Sequence, residues 1–169
     1  MKRFAVDRLG YPPGSGVPIW LVNWLFQRVF RLDAECRYNK HFTSRLLHTR
    51  GLEIEDECPI VRRSLTVSGG CYINAADGLW IGRGTIWAPN VAIVSQEHGR
   101  DDLRNAPPTP GIRIGRDCWL GFGSIVMPGV ILGERTIVGA NAVVTKSFPE
   151  GNVVLAGAPA QVVGVRSAA

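Results

Sequence analysis

Ile114-Gly115-Arg116-Asp117-Cys118-Trp119-Leu120-Gly121-Phe122-Gly123-Ser124-Ile125-Val126 runs on into Met127-Pro128-Gly129-Val130-Ile131-Leu132-Gly133-Glu134-Arg135-Thr136-Ile137-Val138-Gly139-Ala140-Asn141-Ala142-Val143-Val144. An aliphatic residue stands at every sixth position, namely Ile114, Leu120, Val126, Leu132, Val138 and Val144, and Gly115, Gly121, Gly133 and Gly139 follow directly. Two residues before each aliphatic after the first comes a small or β-branched residue: Cys118, Ser124, Val130, Thr136 and Ala142. Side chains two apart on a strand point the same way, so each pair puts one small and one large group inward. A helix would need spacings of three and four, which a period of six does not reproduce. Strand, corner, strand at this period describes a parallel solenoid whose coils stack a continuous aliphatic core.

The register extends upstream through Ile81-Gly82, Trp87-Ala88 and Ile93-Val94, with Val67, Ile73 and Leu79 as a looser start. The count slips by two between Leu79 and Ile81, which predicts a bulge or corner extension there. A larger break, about 97–111, is rich in charge and contains Pro107-Pro108-Thr109-Pro110, and it reads as one loop thrown out of the solenoid. Trp119, Ile125, Ile131, Ile137 and Val143 precede the inward aliphatics and face out. With three hexads per coil, Trp119 stacks on Ile137 and Ile125 on Val143, leaving apolar outer faces that a symmetric trimer or the chain's own terminal segments would cover.

The whole chain has 169 residues, about one domain's worth, with 46% apolar residues, 20 glycines and 11 prolines, a composition of short strands and corners. Disorder, a collagen-like chain and a membrane-spanning segment are excluded, the last because Asn23, Gln27 and Arg28 interrupt the apolar run Ile19 to Phe30. The net charge is +5, with Lys2, Arg3, Arg8, Arg28, Arg31, Arg37, Lys40, Arg45, Arg50, Arg62 and Arg63 spread through the first third. Dispersed charge of this kind suits small anionic ligands or an acidic membrane surface better than nucleic acid. Cys36, Cys58, Cys71 and Cys118 form no metal-binding or disulfide pattern and read as small buried residues in a reducing cytoplasm. Arg31-Leu32-Asp33-Ala34-Glu35 stands where a signal peptide would need a small-residue cleavage site, so export is not expected.

Several ordered segments carry a resemblance: Cys71-Tyr72-Ile73-Asn74, Ile86-Trp87-Ala88-Pro89-Asn90-Val91, His98, Cys118-Trp119-Leu120-Gly121, Pro128-Gly129-Val130, Val143-Val144-Thr145-Lys146 and Ala156-Gly157-Ala158-Pro159-Ala160. Over about residues 40–164 the chain resembles the hexapeptide-repeat acyltransferases, in the branch of maltose, galactoside and exopolysaccharide O-acetyltransferases. The resemblance implies a left-handed parallel β-helix, a handedness that general crossover rules would not give. It implies an N-terminal helical or capping segment at 1–50, the all-β solenoid at 51–155 and a closing segment at 156–169. It also implies a cytoplasmic homotrimer with active sites between subunits, taking acetyl-CoA and a carbohydrate acceptor and requiring no metal.

Acyl transfer from a thioester needs no protein nucleophile, only a base for the attacking hydroxyl, and histidine is the natural one. By its place in the family motif His98 is that base; His41 and His48 precede the repeats and read as surface or packing residues. Glu97, Asp101 and Asp102 are candidates to orient it, although Gly99 stands where relatives often carry an acid. Tyr72 and Asn74 match acceptor-side positions or serve corner hydrogen bonds, and Trp119 walls the pantetheine channel or acceptor pocket, or packs an interface. Gly121, Gly123 and Ser124 lie where the chain can approach pantetheine, Thr145 and Lys146 match a pair at the nucleotide end, and Ala158 lines the same channel. Backbone N–H groups that sequence cannot name would hold the oxyanion. Pro18 to Phe30 forms a helix that either caps the solenoid or lies on a membrane surface. The rival functions are N-acetylation of an amino-sugar nucleotide or antibiotic on the same scaffold, and a non-catalytic trimerisation module. A metal-dependent hydratase would need several coil histidines, and the repeats hold one.

Overall fold

A computed structural model describes residues 16–99 and 101–167; Lys2, Arg3 and Arg8 lie outside them. Strands of two or three residues wind through three parallel sheets. The first contains β1 (Arg45–Leu47), β3 (Tyr72–Asn74), β6 (Ala92–Val94), β9 (Ile125–Val126) and β12 (Val143–Val144). The second contains β2 (Leu52–Ile54), β4 (Leu79–Ile81), β7 (Ile112–Ile114) and β10 (Ile131–Leu132). The third contains β5 (Ile86–Trp87), β8 (Trp119–Leu120), β11 (Ile137–Val138), β13 (Val153–Ala156) and β14 (Gln161–Val165), the last antiparallel to β13. From β3 to β12 successive strands belong to successive sheets, so the chain climbs a three-sided prism one coil at a time, and the expected stacking of Trp119 on Ile137 and Ile125 on Val143 is its register.

The inward column of the second sheet, Ile54, Ile81, Ile114 and Leu132, is at most 4% exposed, and those of the other sheets are equally enclosed. Each such side chain contributes about 1.5–3 kcal/mol relative to exposure. The small inward positions satisfy themselves on the backbone: Thr85 Oγ1 donates to Gly115 O at 2.7 Å and accepts from Cys118 N at 3.1 Å. Thr136 Oγ1 donates to Gly133 O at 2.8 Å.

Four expectations change. The solenoid begins at Arg45 and not at residue 51, because β1 pairs with β3. Val67 is no inward hexad residue; it ends helix Pro59–Val67, 39% exposed, and that helix covers the edge of the third sheet above β5. Ser64 Oγ accepts from Trp87 N at 3.4 Å and Ser68 Oγ donates to Trp87 O at 2.7 Å, so the backbone of Trp87 is met on the covered side. Leu79 and Ile81 are both inward ends of one strand, and the two-residue slip is a corner extension at 75–78, one corner earlier than expected. The excursion begins directly after Val94, so it spans 95–111.

The N-terminal helix, α1 (Val17–Trp24), continues as a π-helical turn at Leu25–Val29 and caps the first coil. Its buried contacts are polar. Asn23 donates to Thr66 O at 3.0 Å and Asn39 Oδ1 at 3.1 Å and accepts from Phe42 N at 3.0 Å. Gln27 donates to Tyr38 O at 3.0 Å and accepts from Lys40 N at 3.1 Å. Lys40, 1% exposed, donates to Ser44 O at 2.6 Å and pairs with Asp33 at 3.1 Å, which fixes the cap to the coil.

Candidate active site

The outer surface of the first sheet and the corner that follows it collect most of the sequence-predicted residues. Tyr72 and Asn74 are two apart on β3 and both face out, Tyr72 41% exposed and Asn74 largely covered. Asn74 Oδ1 accepts the Ala76 N–H at 3.1 Å and lies 2.9 Å from His48 Nδ1. A backbone N–H requires an acceptor, so that amide atom is the oxygen, and His48 must then carry its proton on Nδ1. The amide orientation is thereby fixed, and Nδ2 makes no hydrogen bond among the described residues. His48, read from sequence as a surface or packing residue, is thus the residue that sets Asn74. The pairing depends on the coil register Leu47 to Asn74, which no local sequence signal carries.

His98 stands exposed on the 95–111 loop, four residues after β6 has paired its Val94 with Asn74. Asp77, in the corner extension, pins the loop at both ends. Its Oδ1 accepts from Gln96 Nε2 at 3.2 Å, its Oδ2 accepts from Thr109 N at 2.8 Å, and its own N–H donates to Ser95 Oγ at 3.1 Å. Thr109 Oγ1 donates to Ser95 O. Beyond His98 the chain folds back, Gly99 N–H donating to Asn105 O at 2.6 Å, and a Cβ at Gly99 would meet Asp102 O at 3.1 Å. Among the described residues no side chain is bonded to the His98 ring, and Asp102 is engaged with Arg104 N at 2.9 Å inside the loop.

Thr145 and Lys146, both exposed, follow β12 at the same corner, two strands along the sheet from β6, or about 10 Å at the usual strand spacing. Lys146 Nζ donates to Gln161 Oε1 at 3.2 Å and sits 5.5 Å from the Phe148 ring centroid, so no carboxylate neutralises it among the described residues. Ala158 is exposed where residues 157–160 stack on Val143, through Gly157 O and the Ala160 N–H.

Trp119, Gly121, Gly123 and Ser124 lie elsewhere. Trp119, 49% exposed, faces out from the third sheet, and the glycines form the corner between the third sheet and the first. Six residues of chain separate Gly121 from Met127 at the opposite end of β9, about 20 Å if fully extended. Ser124 is a correction: its side chain is fully buried in the coil, with Oγ unpartnered, and its N–H is spent on Gly121 O. Gly121 is glycine for the next coil's sake, since a Cβ would meet Ala140 N at 2.7 Å; Gly123 takes φ +65 with Asn141 Oδ1 where its Cβ would be.

Sequence reading missed a groove of about 380 Å³ on the second sheet, lined by Glu53, Trp80, Arg113 and Ile131 with Pro110 and Gly111 at the loop's foot. The Arg113 guanidinium stacks 3.8 Å from the Trp80 ring centroid. Both precede inward isoleucines, which was the available signal. Burial pushes the Cys118 thiol up to about 11, and Cys36 and Cys71 upward likewise; burial, then Lys40, lowers His41. No group of three or more His, Cys, Asp or Glu side chains that could hold a metal ion occurs among the described residues.

Residues 111–146 match the family described as bacterial transferase hexapeptide (six repeats). A putative colanic acid biosynthesis acetyltransferase, WcaF of Escherichia coli K12, is 32% identical over 98% of this chain and 96% of its own. A putative lipopolysaccharide biosynthesis O-acetyl transferase, WbbJ of the same organism, is 35% identical over 59% of this chain and 57% of its own. The chain spans about half the length of the first curated relatives it matches. Among solved structures, a maltose O-acetyltransferase from Clostridium difficile 630 shares the fold at TM-score 0.54, with 21% identity over 97% of this chain and 91% of that one. AntD, an N-acyltransferase from Bacillus cereus, shares it at TM-score 0.55, with 13% identity over 78% and 82%. With a three-sided coil of hexads and a full-length relative at this identity, the chain belongs to the bacterial transferase hexapeptide family.

Proposed function

We propose that the protein transfers an acetyl group from acetyl-CoA to a hydroxyl of a sugar or polysaccharide precursor, with His98 as general base in a direct ternary complex. The carrying observation is that exposed His98 hangs from the corner where Asn74, its Oδ1 already filled by Ala76 and His48, keeps Nδ2 for a partner. Asn74 then donates to the acceptor while His98 takes the hydroxyl proton, and Tyr72 borders the same surface. The thioester of acetyl-CoA brings an acyl group already activated for transfer. Exposed Thr145 and un-neutralised Lys146 suit its phosphates, and Ala158 lies exposed beside them. Ser124 contributes no side chain.

The reading takes the active unit to be a homotrimer of left-handed coils, which the division of the predicted site residues supports. Trp119, Gly121 and Gly123 occupy a different edge of the prism from His98, so the two halves meet only when one protomer's edge faces another's corner. Trp119 of one chain then walls the site of the next. The test is thiol release from acetyl-CoA against a panel of sugars, sugar nucleotides and amino sugars, beside His98→Ala. Acceptor-dependent release that falls about 10²-fold in the variant supports the reading, and release unchanged in the variant removes His98 from it.

A further inference from the structure

Amphipathic surface helices ordinarily turn their apolar stripe to the core. The N-terminal helix does the reverse. Asn23 and Gln27, one turn apart, are its buried residues and spend their amides on the body of the protein. Val17, Leu21, Val29 and Phe30 are 53–63% exposed, and Val22, Trp24, Leu25 and Leu32 are exposed with them. Solvent therefore meets aliphatic and aromatic side chains along the length of the element, each of which gains about 1.5–3 kcal/mol by leaving water.

The helix itself carries only basic charge, and Glu57 beyond it is paired with Arg37 at 2.9 Å. From Gly16 to Leu32 there is no carboxylate, Arg28 and Arg31 are exposed, and Asp33 is engaged by buried Lys40. A cleft of about 60 Å³, at the seam between helix and body, is lined by Trp20, Trp24, Arg28, Arg37 and Arg62 among others. Trp24 and Arg28 belong to both cleft and exposed face. The 13 residues from Val17 to Val29 extend about 20 Å at helical rise, short of the roughly 30 Å hydrocarbon core, so the element cannot cross a bilayer. A short helix with an apolar face, tryptophan at its border and guanidiniums beside it suits the plane of an anionic lipid surface.

We propose that this helix docks the enzyme on an anionic membrane leaflet. Its apolar face enters the acyl boundary, with exposed Arg28 and Arg31 beside it toward the lipid phosphates. The experiment is flotation of the full chain with vesicles of phosphatidylcholine alone or with phosphatidylglycerol, beside Leu21→Glu/Val29→Glu. Both substituted side chains are already in solvent, so thermal unfolding should not change. The parent is expected to float with the anionic vesicles, to release as salt rises, and to partition at least about a hundredfold better than the double variant. Vesicles with brominated acyl chains should quench the parent's tryptophan fluorescence, a reading independent of any variant. The proposal is overturned if the parent stays with the soluble fraction on anionic vesicles, or if the double variant floats like the parent. It is equally overturned if, without lipid, sedimentation shows the double variant as a smaller assembly, because the face is then a contact between copies.

Discussion

Replacing Asn74 by aspartate separates what the residue does for the fold from what it does for chemistry. The carboxylate is nearly isosteric and keeps an oxygen where Oδ1 accepts from Ala76 N at 3.1 Å and from His48 Nδ1 at 2.9 Å. Both accepted bonds gain from the negative charge, so stability should be held or slightly raised. The variant loses the Nδ2 donors, which bond to nothing in the described protein and on the proposed reading meet the acceptor. An acceptor oxygen facing a carboxylate in place of an N–H forfeits about 2–3 kcal/mol, or roughly 30- to 150-fold in kcat/KM. Asn74→Ala should behave differently, because it orphans the Ala76 and His48 donors. It costs about 1–2 kcal/mol, and so some 2–8 °C in Tm for a domain of this size. Thermal unfolding and thiol release on the same preparations give both quantities. Should Asn74→Asp transfer within threefold of the parent, Nδ2 has no part in acceptor binding; should it unfold well below the parent, the His48 and Ala76 bonds are misassigned.

Removing the anchor of the loop, Asp77→Ala frees Gln96 and the Thr109 N–H, and kcat/KM should fall about tenfold or more with only a few degrees lost in Tm. Because Ser124 Oγ is buried without a partner, Ser124→Ala should raise Tm by a few degrees and leave the KM for acetyl-CoA unchanged; a raised KM would return the side chain to the cofactor site. The Arg116 guanidinium, whose Nε lies 3.0 Å from both Glu55 oxygens, and then the Arg83 N–H hold the Glu55 carboxyl down at about 2. A depressed carboxylate stabilises above its unfolded value near 4.5 and loses that contribution as pH falls toward 2, so the drop in stability over this window should be smaller in Glu55→Gln than in the parent. Cys36, Cys71 and Cys118 should resist a thiol reagent at pH 8 in the folded protein while half-buried Cys58 reacts, and all four should react after denaturation.

What the sequence made legible is what a period can carry. Six-residue spacing with a small residue two before each aliphatic fixes which side chains enter the coil and which pairs stack, and Trp119 on Ile137 follows directly. The helix at Pro59–Val67 was hidden because Val67 falls at a spacing that fits a hexad. Its own signal, proline at the first turn with Val61 and Leu65 four apart, is only two turns long. The glycines carry a second demand that the sequence did not separate: at Gly121 the backbone that approaches closely is the next coil's. The break in period marked the loop that carries His98, while the choice of that residue came from the family motif. The His48–Asn74 bond was not readable, because residues 26 positions apart meet only through the rise of one coil.

Regularity itself explains where chemistry can reside in such a molecule. Inside a run of hexads every corner repeats the one below it, and its N–H and C=O groups are used to hold the next coil, as the bonds from Gly115 to Leu132 and Gly121 to Val138 illustrate. Side chains inside the coil are enclosed, and those outside stand on flat faces with too little relief to surround a substrate. Only departures from the repeat make concavity, and two of them, the 75–78 extension and the 95–111 loop, leave the same corner one coil apart. Asp77 ties them together through three hydrogen bonds, so the loop that carries His98 is held against the corner that displays Asn74. The remaining wall must come from outside that corner. On the proposed reading a neighbouring copy supplies it through the exposed Trp119, which lies on another face within one chain.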